Sequence, residues 1–339
     1  MSGLKVGIVG GLGYIGSALA DYLRPEFIVK IVDKSPPPTS FERKIEYQKC
    51  DILRYSDIKQ ALADVDLVIH TAIVQIPLIN ENKKLGYEVN FLGTQNICRV
   101  VNENPSIKGM ILSGTWHVFG EEGLEGPLDE EFGFRPDKVE DRARLYALSK
   151  IAQEVIVRFY DEMSEKIYAV IRMATVLGEE MPERTAASIF ISKGLKGESI
   201  TPYKHSMHRP MLYADIKDVC RTFKTYLLKM VNNTTNTAAM NLPRIVNLCW
   251  REPITIIELA NTIKETIVKL TKKQVNPRIE VIDKQKPVLF TPEDKKKIRV
   301  DQSKLGQIIS LRELVSPRES VERIVQSRIG HLRERSSPN

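Results

Sequence analysis

Apolar and polar positions in the first half of the chain switch repeatedly between two spacings. Leu4–Val9 reads as a short buried strand, and Ile15, Leu19 and Leu23 then recur at helical spacing until Pro25 stops the helix. Further strand patterns lie at 27–32, ending in Asp33, at 45–50 before Asp51, at 65–70, at 109–113 and at 167–171. Helical patterns separate them at 56–63, at 84–103 and in a long helix from about 145 that carries Leu148, Ile151, Val155, Ile156 and Phe159. Strands alternating with helices require crossover connections, hence an α/β fold with a doubly wound parallel sheet. Beyond residue 175 the pattern loosens. Helical stretches at 186–196, 215–230, 255–270 and 317–327 are separated by short strand-like runs, with a polar loop at 232–237. The expected organisation is a first domain over 1–175 and a substrate region over 176–327. Part of the latter, about 211–245, returns to the first domain, and 328–339 forms a flexible tail.

The 339 residues suit roughly two domains. A hydrophobic share of 42% and a charged share of 27% are ordinary for a globular protein. The N-terminus shows no apolar leader and no run approaches the ~20 residues of a membrane span. Cys50, Cys98, Cys220 and Cys249 lie far apart without metal-ligand or disulfide spacing, which points to a reducing, cytoplasmic setting. The net charge of +7 is spread along the chain and implies neither nucleic-acid nor membrane binding.

The first strand runs into "GIVGGLGYIGSALADYL", where two glycine registers overlap. Gly11, Gly13 and Gly16 spell G-x-G-x-x-G, whereas Gly10, Gly13 and Gly16 spell G-x-x-G-x-x-G. Such a turn lets backbone N–H groups approach a pyrophosphate at a helix N-terminus, although glycine turns also serve purely steric ends. Here a strand precedes, a helix follows, and Asp33 ends the next strand 17 residues after Gly16, near the spacing expected for a carboxylate on an adenosine ribose. A carboxylate repels a 2′-phosphate, so the expected cofactor is NAD rather than NADP, with Lys34 the neighbour that could offset this.

Acting on an alcohol requires a base, and Tyr-x-x-x-Lys on a helix supplies one, because i and i+4 share a face. A free phenol titrates near 10, and an ammonium at ~4 Å at an effective dielectric near 20 is worth ~4 kcal/mol, roughly three pKa units. Three such pairs occur: Tyr55/Lys59, Tyr146/Lys150 and Tyr213/Lys217. Only Tyr146 opens a long helix after the fifth strand, which itself runs into "LSGTWHVFG" with the hydroxyls of Ser113 and Thr115.

With these parts in order, the chain resembles the extended short-chain dehydrogenases/reductases, in the NAD-dependent epimerase/dehydratase group. "GGLGYIG" is similar to the group's G-x-x-G-x-x-G, favouring Gly10, Gly13 and Gly16. "VDLVIHTA" resembles the strand ending beneath the nicotinamide, "VNFLGTQNI" the segment whose Asn90 supports the site, and "YALSK" the catalytic Tyr-Lys pair. "SGTWHVFG" resembles S-x-x-x-x-V-Y-G, and "RPMLYADIKDV" resembles R-D-F-V-x-V-x-D-V. The resemblance implies a Rossmann-type sheet with a smaller, mixed α/β C-terminal substrate domain, and a homodimer. It implies cofactor contacts from Gly10, Gly13, Tyr14, Ile15, Gly16, Asp33, Asp51, Ile52, Thr71, Ala72, Asn90, Tyr146 and Lys150. Tyr146 would be the acid/base, Lys150 would lower its pKa, and Thr115 would hydrogen-bond the substrate oxygen. His117 and Arg209 would face the substrate, Arg209 on a phosphate; a surface ion pair is the other reading of that arginine.

Many members of the group act on nucleotide sugars, and a nucleotide-sugar epimerase with tightly held NAD is the expectation. Some features depart from that pattern. "YKHSMHR" before Arg209 lacks the usual glycines, and Thr291-Pro292-Glu293-Asp294 stands where Arg-Pro-Gly-Asp is frequent. A net dehydrogenase or reductase of a steroid-like or other small alcohol is therefore the alternative. A non-catalytic NAD sensor is disfavoured by the intact Thr115, Tyr146 and Lys150.

Overall fold

The structure, a computed structural model, describes residues 3–38, 45–233 and 242–336. Of the polar run at 232–237, Asn232 and Asn233 close a helix, Ile216–Asn233, and the remainder lies outside the described residues.

Seven strands form one parallel sheet: β1 (Lys5–Val9), β2 (Ile28–Asp33), β3 (Glu46–Lys49), β4 (Leu67–His70), β5 (Gly109–Thr115), β6 (Ile167–Met173) and β7 (Ile245–Leu248). Their order is β7-β6-β5-β4-β1-β2-β3, every neighbouring pair parallel. β5 and β6 are buried at every position, as strands covered by helices on both faces must be. The order reverses between β1 and β4, and a crevice opens there beyond the carboxyl ends of the strands.

Three helices shape this crevice. α1 (Tyr14–Leu23) leaves the glycine turn and buries Gly16, Leu19, Ala20 and Leu23. The pattern at 84–103 is divided: a π-turn over Glu88–Gly93 interrupts it before α2 (Thr94–Glu103). Such widened turns mark sites where a helix is bent for local use. α3 (Asp141–Met163) starts earlier than its apolar spacing suggests and buries Ala147, Ser149, Lys150, Gln153, Glu154 and Val157. The apolar residues that betrayed this helix in the sequence largely face outward, Phe159 being 65% exposed. α3 is held inward by Ala147 and Val157, both fully buried, and by an ion pair: Arg172 of β6 makes a bidentate pair with Glu154 at 2.6 and 3.0 Å, both side chains only 1% exposed. Either group left alone would be an uncompensated buried charge.

The later segments are not independent of the sheet. β7 forms its edge beside β6. Thr175–Leu177 pairs with Tyr213–Asp215 in parallel, and Pro210–Met211 pairs with Ile254–Thr255 antiparallel. The final helix runs Pro317–Ser336, past the end at 327 read from its pattern, because Arg328 bonds Ser188 and Ser192 of the helix Ala186–Leu195. No helix among the described residues is long and apolar enough to cross a membrane. All four cysteines are buried and free.

Candidate active site

A cavity of about 1220 Å³ follows the crevice from the β2 end to the segment around Arg209. Its first wall is the glycine turn. Gly10 has φ +81°, and a Cβ there would sit 2.5 Å from the Ala72 nitrogen; one on Gly16 would sit 2.5 Å from the Gly10 oxygen. Both positions therefore require glycine. Gly13 is the N-cap of α1 without a side-chain cap, so the first N–H groups of the helix, Tyr14 and Ile15 among them, stand at the cavity wall.

Asp33 closes this end. Its carboxylate accepts from Leu12 N at 3.1 Å and Ser35 N at 3.0 Å, tying the glycine turn to β2. Lys34, the neighbour that could have welcomed a 2′-phosphate, instead pairs with Asp51 at 2.8 Å. Asp51 accepts from Leu53 N as well, and these bonds hold its carboxyl below the usual range. Ile52 lies beside it, buried against Gly93. Thr71 and Ala72 continue the wall from β4, the Thr71 hydroxyl donating to the carbonyls of Val9 and Gly10. A glycine cradle open to an anion, a helix N-terminus and an acid at the far end suit a dinucleotide with two phosphates and a free 2′-hydroxyl.

Asn90 does not reach the cavity. It is fully buried on the π-turn, exchanges bonds with Val74 N (2.7 Å) and Val74 O (3.1 Å), and donates to Ser149 Oγ at 3.0 Å. Ser149 in turn donates to the Tyr146 carbonyl at 2.9 Å. The expected cofactor contact is thus replaced by a brace under α3. His70 is likewise packed, fully buried against Thr94 and Gln153.

Thr115, Tyr146 and Lys150 all line the cavity. Burial is the larger influence on the Tyr146 phenol, which lines the cavity beside Thr115, and raises its pKa. Lys150 Nζ donates to the Ser113 carbonyl at 2.7 Å, and burial lowers its pKa to about 7. In the chain alone the Lys150 ammonium is directed at the Ser113 carbonyl, and burial remains the larger influence on the Tyr146 phenol. Of the competing pairs, Tyr55 bonds Glu103 on the outside of the sheet, and Lys217 is exposed on a helix while Tyr213 sits in a strand. Tyr213 does line the cavity, a position its spacing to Lys217 does not explain.

The substrate side carries charges that the sequence reading missed. His117 lies between Thr115, at 3.1 Å from its Nδ1, and Glu121, at 3.5 Å from its Nε2. Arg209 lines the cavity but is already paired with Glu140 at 2.7 Å and Glu121 at 3.5 Å, with its Nε buried and without a protein partner. Glu140 also accepts from Arg142 at 2.6 Å. Arg184 reaches Gln75 at 3.1 Å on the rim. The i, i+4 spacing of His117 and Glu121 was the one available signal. Thr291 and Asp294, at the place of the missing arginine, bond one another and do not line the cavity. Among the described residues no three His, Cys, Asp or Glu side chains gather to hold a metal.

Comparison with known proteins gives this site its context. The model of the NAD dependent epimerase/dehydratase family matches residues 6–248. A Methanocaldococcus jannaschii protein that carries the provisional name UDP-glucose 4-epimerase is 32% identical over 202 residues, 57% of this chain and 63% of its own length. The chain therefore spans less than two thirds of that relative. UDP-glucuronic acid decarboxylase 3 of Arabidopsis thaliana is 23% identical over 94% of this chain and 87% of its own. In structure, the Thermus thermophilus UDP-glucose 4-epimerase complex with NAD superposes with a TM-score of 0.75 at 21% identity, covering 96% of this chain and 99% of that one. Its likeness establishes the Rossmann-like fold. The family model covers well over half of the sequence, and the chain belongs to the NAD-dependent epimerase/dehydratase family.

Proposed function

We propose that this NAD-dependent enzyme is a nucleotide-sugar epimerase that transiently oxidises a sugar hydroxyl, at C4, and reduces it again on the opposite face. The observation that carries this reading is that Thr115, Tyr146 and Lys150 line the same cavity as the glycine turn. NAD, when bound, supplies the hydride acceptor and donor. Gly10, Gly13 and Gly16 would hold its pyrophosphate with the Tyr14 and Ile15 N–H groups. Asp33 would take the ribose, Asp51 and Ile52 the adenine, and Thr71 and Ala72 the wall beneath the nicotinamide. Tyr146 exchanges the substrate hydroxyl proton, and Thr115 hydrogen-bonds the same oxygen. Residues 1–175 would bind the cofactor and 176–327 shape the substrate side, with 211–245 returning to the first domain.

Elimination of water, the other reaction of the family's name, calls for an acid and a base beside the sugar; Trp116 and His117 follow Thr115 where an Asp-Glu pair would serve. Indole cannot exchange a proton. A panel of nucleotide sugars, incubated with the enzyme in D2O, separates the outcomes. Interconversion of C4 epimers without deuterium at C5 is expected; deuterium at C5 with loss of water overturns the epimerase reading. One observation favours a second reading. Arg209 is neutralised by Glu121 and Glu140, so a diphosphate would meet carboxylates there. A net dehydrogenase or reductase of a small alcohol or ketone needs no such cation, and release of NADH into solution identifies it.

The proposal extends to a cytoplasmic homodimer, the reducing compartment being consistent with four free cysteines. Leu148 (40% exposed), Val155 (44%), Phe159 (65%) and Met163 (58%) form an outward stripe on α3, which packs beside α2. A second copy covering this stripe would bury area worth roughly 25 cal/mol per Å². Light scattering is expected to give twice the mass of one chain, and Phe159→Glu to halve it. A wild-type monomer at micromolar concentration overturns the dimer.

A further inference from the structure

Thr115 ends β5, and a 3₁₀ turn at Trp116–Phe119 folds the chain back over it, so that its hydroxyl is approached from behind by the ring two residues on. His117 Nδ1 is 3.1 Å from Thr115 Oγ1, His117 Nε2 is 3.5 Å from Glu121 Oε1, and the imidazole meets the Tyr146 ring edge-on at 5.8 Å. Glu121 is itself held by Arg209 at 3.5 Å.

We propose that Glu121 and His117 set the direction of the Thr115 hydroxyl, committing its proton to the imidazole and away from the substrate; the Thr115 oxygen also accepts from the His117 backbone N–H at 3.4 Å, so one acceptor lone pair remains toward the cavity. Resting on the reading that Thr115 meets the substrate oxygen, this makes His117 and Glu121 positioning residues. A neutral imidazole has one N–H and one lone pair, whereas an ionised carboxylate can only accept. Glu121 therefore selects the ring form protonated on Nε2, which leaves Nδ1 as an acceptor. Thr115 has one proton, and Nδ1 takes it as a hydrogen bond.

The arrangement has a defined pH sense. Burial lowers the His117 pKa below its usual value; Glu121 and Glu140 act in the opposite direction, Arg209 and Arg142 with burial. Tyr146 and Thr115, the other groups against the ring, are uncharged. At neutral pH the ring is therefore the neutral acceptor. Protonation in acid puts a second N–H on Nδ1 and forces the Thr115 hydroxyl to turn round.

The test uses the full-length, NAD-loaded protein labelled with 15N-histidine, with ring nitrogens followed by NMR from acid to neutral pH. His117 is identified as the signal missing from His117→Asn. At neutral pH it should be protonated on Nε2, Thr115→Val should move its Nδ1 resonance toward that of a free lone pair, and Glu121→Gln should weaken the preference for this form. A proton on Nδ1, or an Nδ1 signal indifferent to Thr115→Val, overturns the proposal and leaves a ring that merely packs against Trp116. This measurement needs no substrate, so it stands even if the nucleotide-sugar panel shows no turnover. With UDP-glucose or UDP-galactose turned over, kcat should fall as pH drops through the His117 titration. His117→Phe should lose that acid limb and up to about a hundredfold in kcat with KM little changed. An acid limb that survives in His117→Phe also overturns it.

Discussion

Tyr146→Phe is expected to lower turnover by roughly 10²–10⁴-fold, the usual worth of a positioned proton-transfer group, while the protein folds normally. The variant removes one hydroxyl from a buried phenol that lines the cavity together with Thr115. Stability should be nearly unaffected, because α3 is held by its Arg172–Glu154 pair and by the Asn90–Ser149 brace, none of which touches the hydroxyl. The pH dependence has a stated sign. Burial raises the Tyr146 pKa and lowers that of Lys150 to about 7, so in the chain alone the phenol is neutral and the amine loses its proton near neutrality. Turnover that needs a phenolate should therefore rise with pH well above 7. Phenylalanine at 55 or 213 should leave the rate within a few fold. A Tyr146→Phe enzyme with near-normal turnover would falsify the assignment.

Asp33→Ala should weaken NAD binding by about 10–100-fold, the loss expected when hydrogen bonds to a charged acceptor worth roughly 1.5–3 kcal/mol are removed. Two effects combine. The carboxylate stands at the end of the glycine turn where a ribose hydroxyl would lie, and it also fastens the turn itself through Leu12 N and Ser35 N. NADP should gain relative to NAD, because its 2′-phosphate no longer faces a carboxylate. The gain should be small, since Lys34 remains engaged by Asp51. Calorimetric titration with both nucleotides decides the matter: unchanged affinity for each removes Asp33 from the cofactor site.

The reach of local pattern runs out most visibly at Arg209. Its place in the motif marks it for an anion, and the structure does bring it into the cavity. The two carboxylates that meet it come from positions 69 and 88 residues away, a separation that no local pattern reports. Asn90 shows the same limit in reverse: the motif points to the cofactor, yet the π-turn rotates its amide under α3 instead.

Strand–helix alternation, a glycine turn after β1, Asp33 at the next strand end and the i, i+4 spacing of Tyr146 and Lys150 are legible in the order of residues, because such patterns act within a few positions; the Gly10, Gly13 and Gly16 register and the place of Thr115 follow from the family resemblance. Other features emerge only once the chain is folded: β7 closes the sheet edge, the apolar stripe of α3 faces outward, and Lys150 directs its bond at a carbonyl. Folding also places His117 between a hydroxyl and a carboxylate. Each of these depends on which groups distant segments bring within hydrogen-bond reach, and burial then sets their protonation, a quantity that residue type alone does not contain.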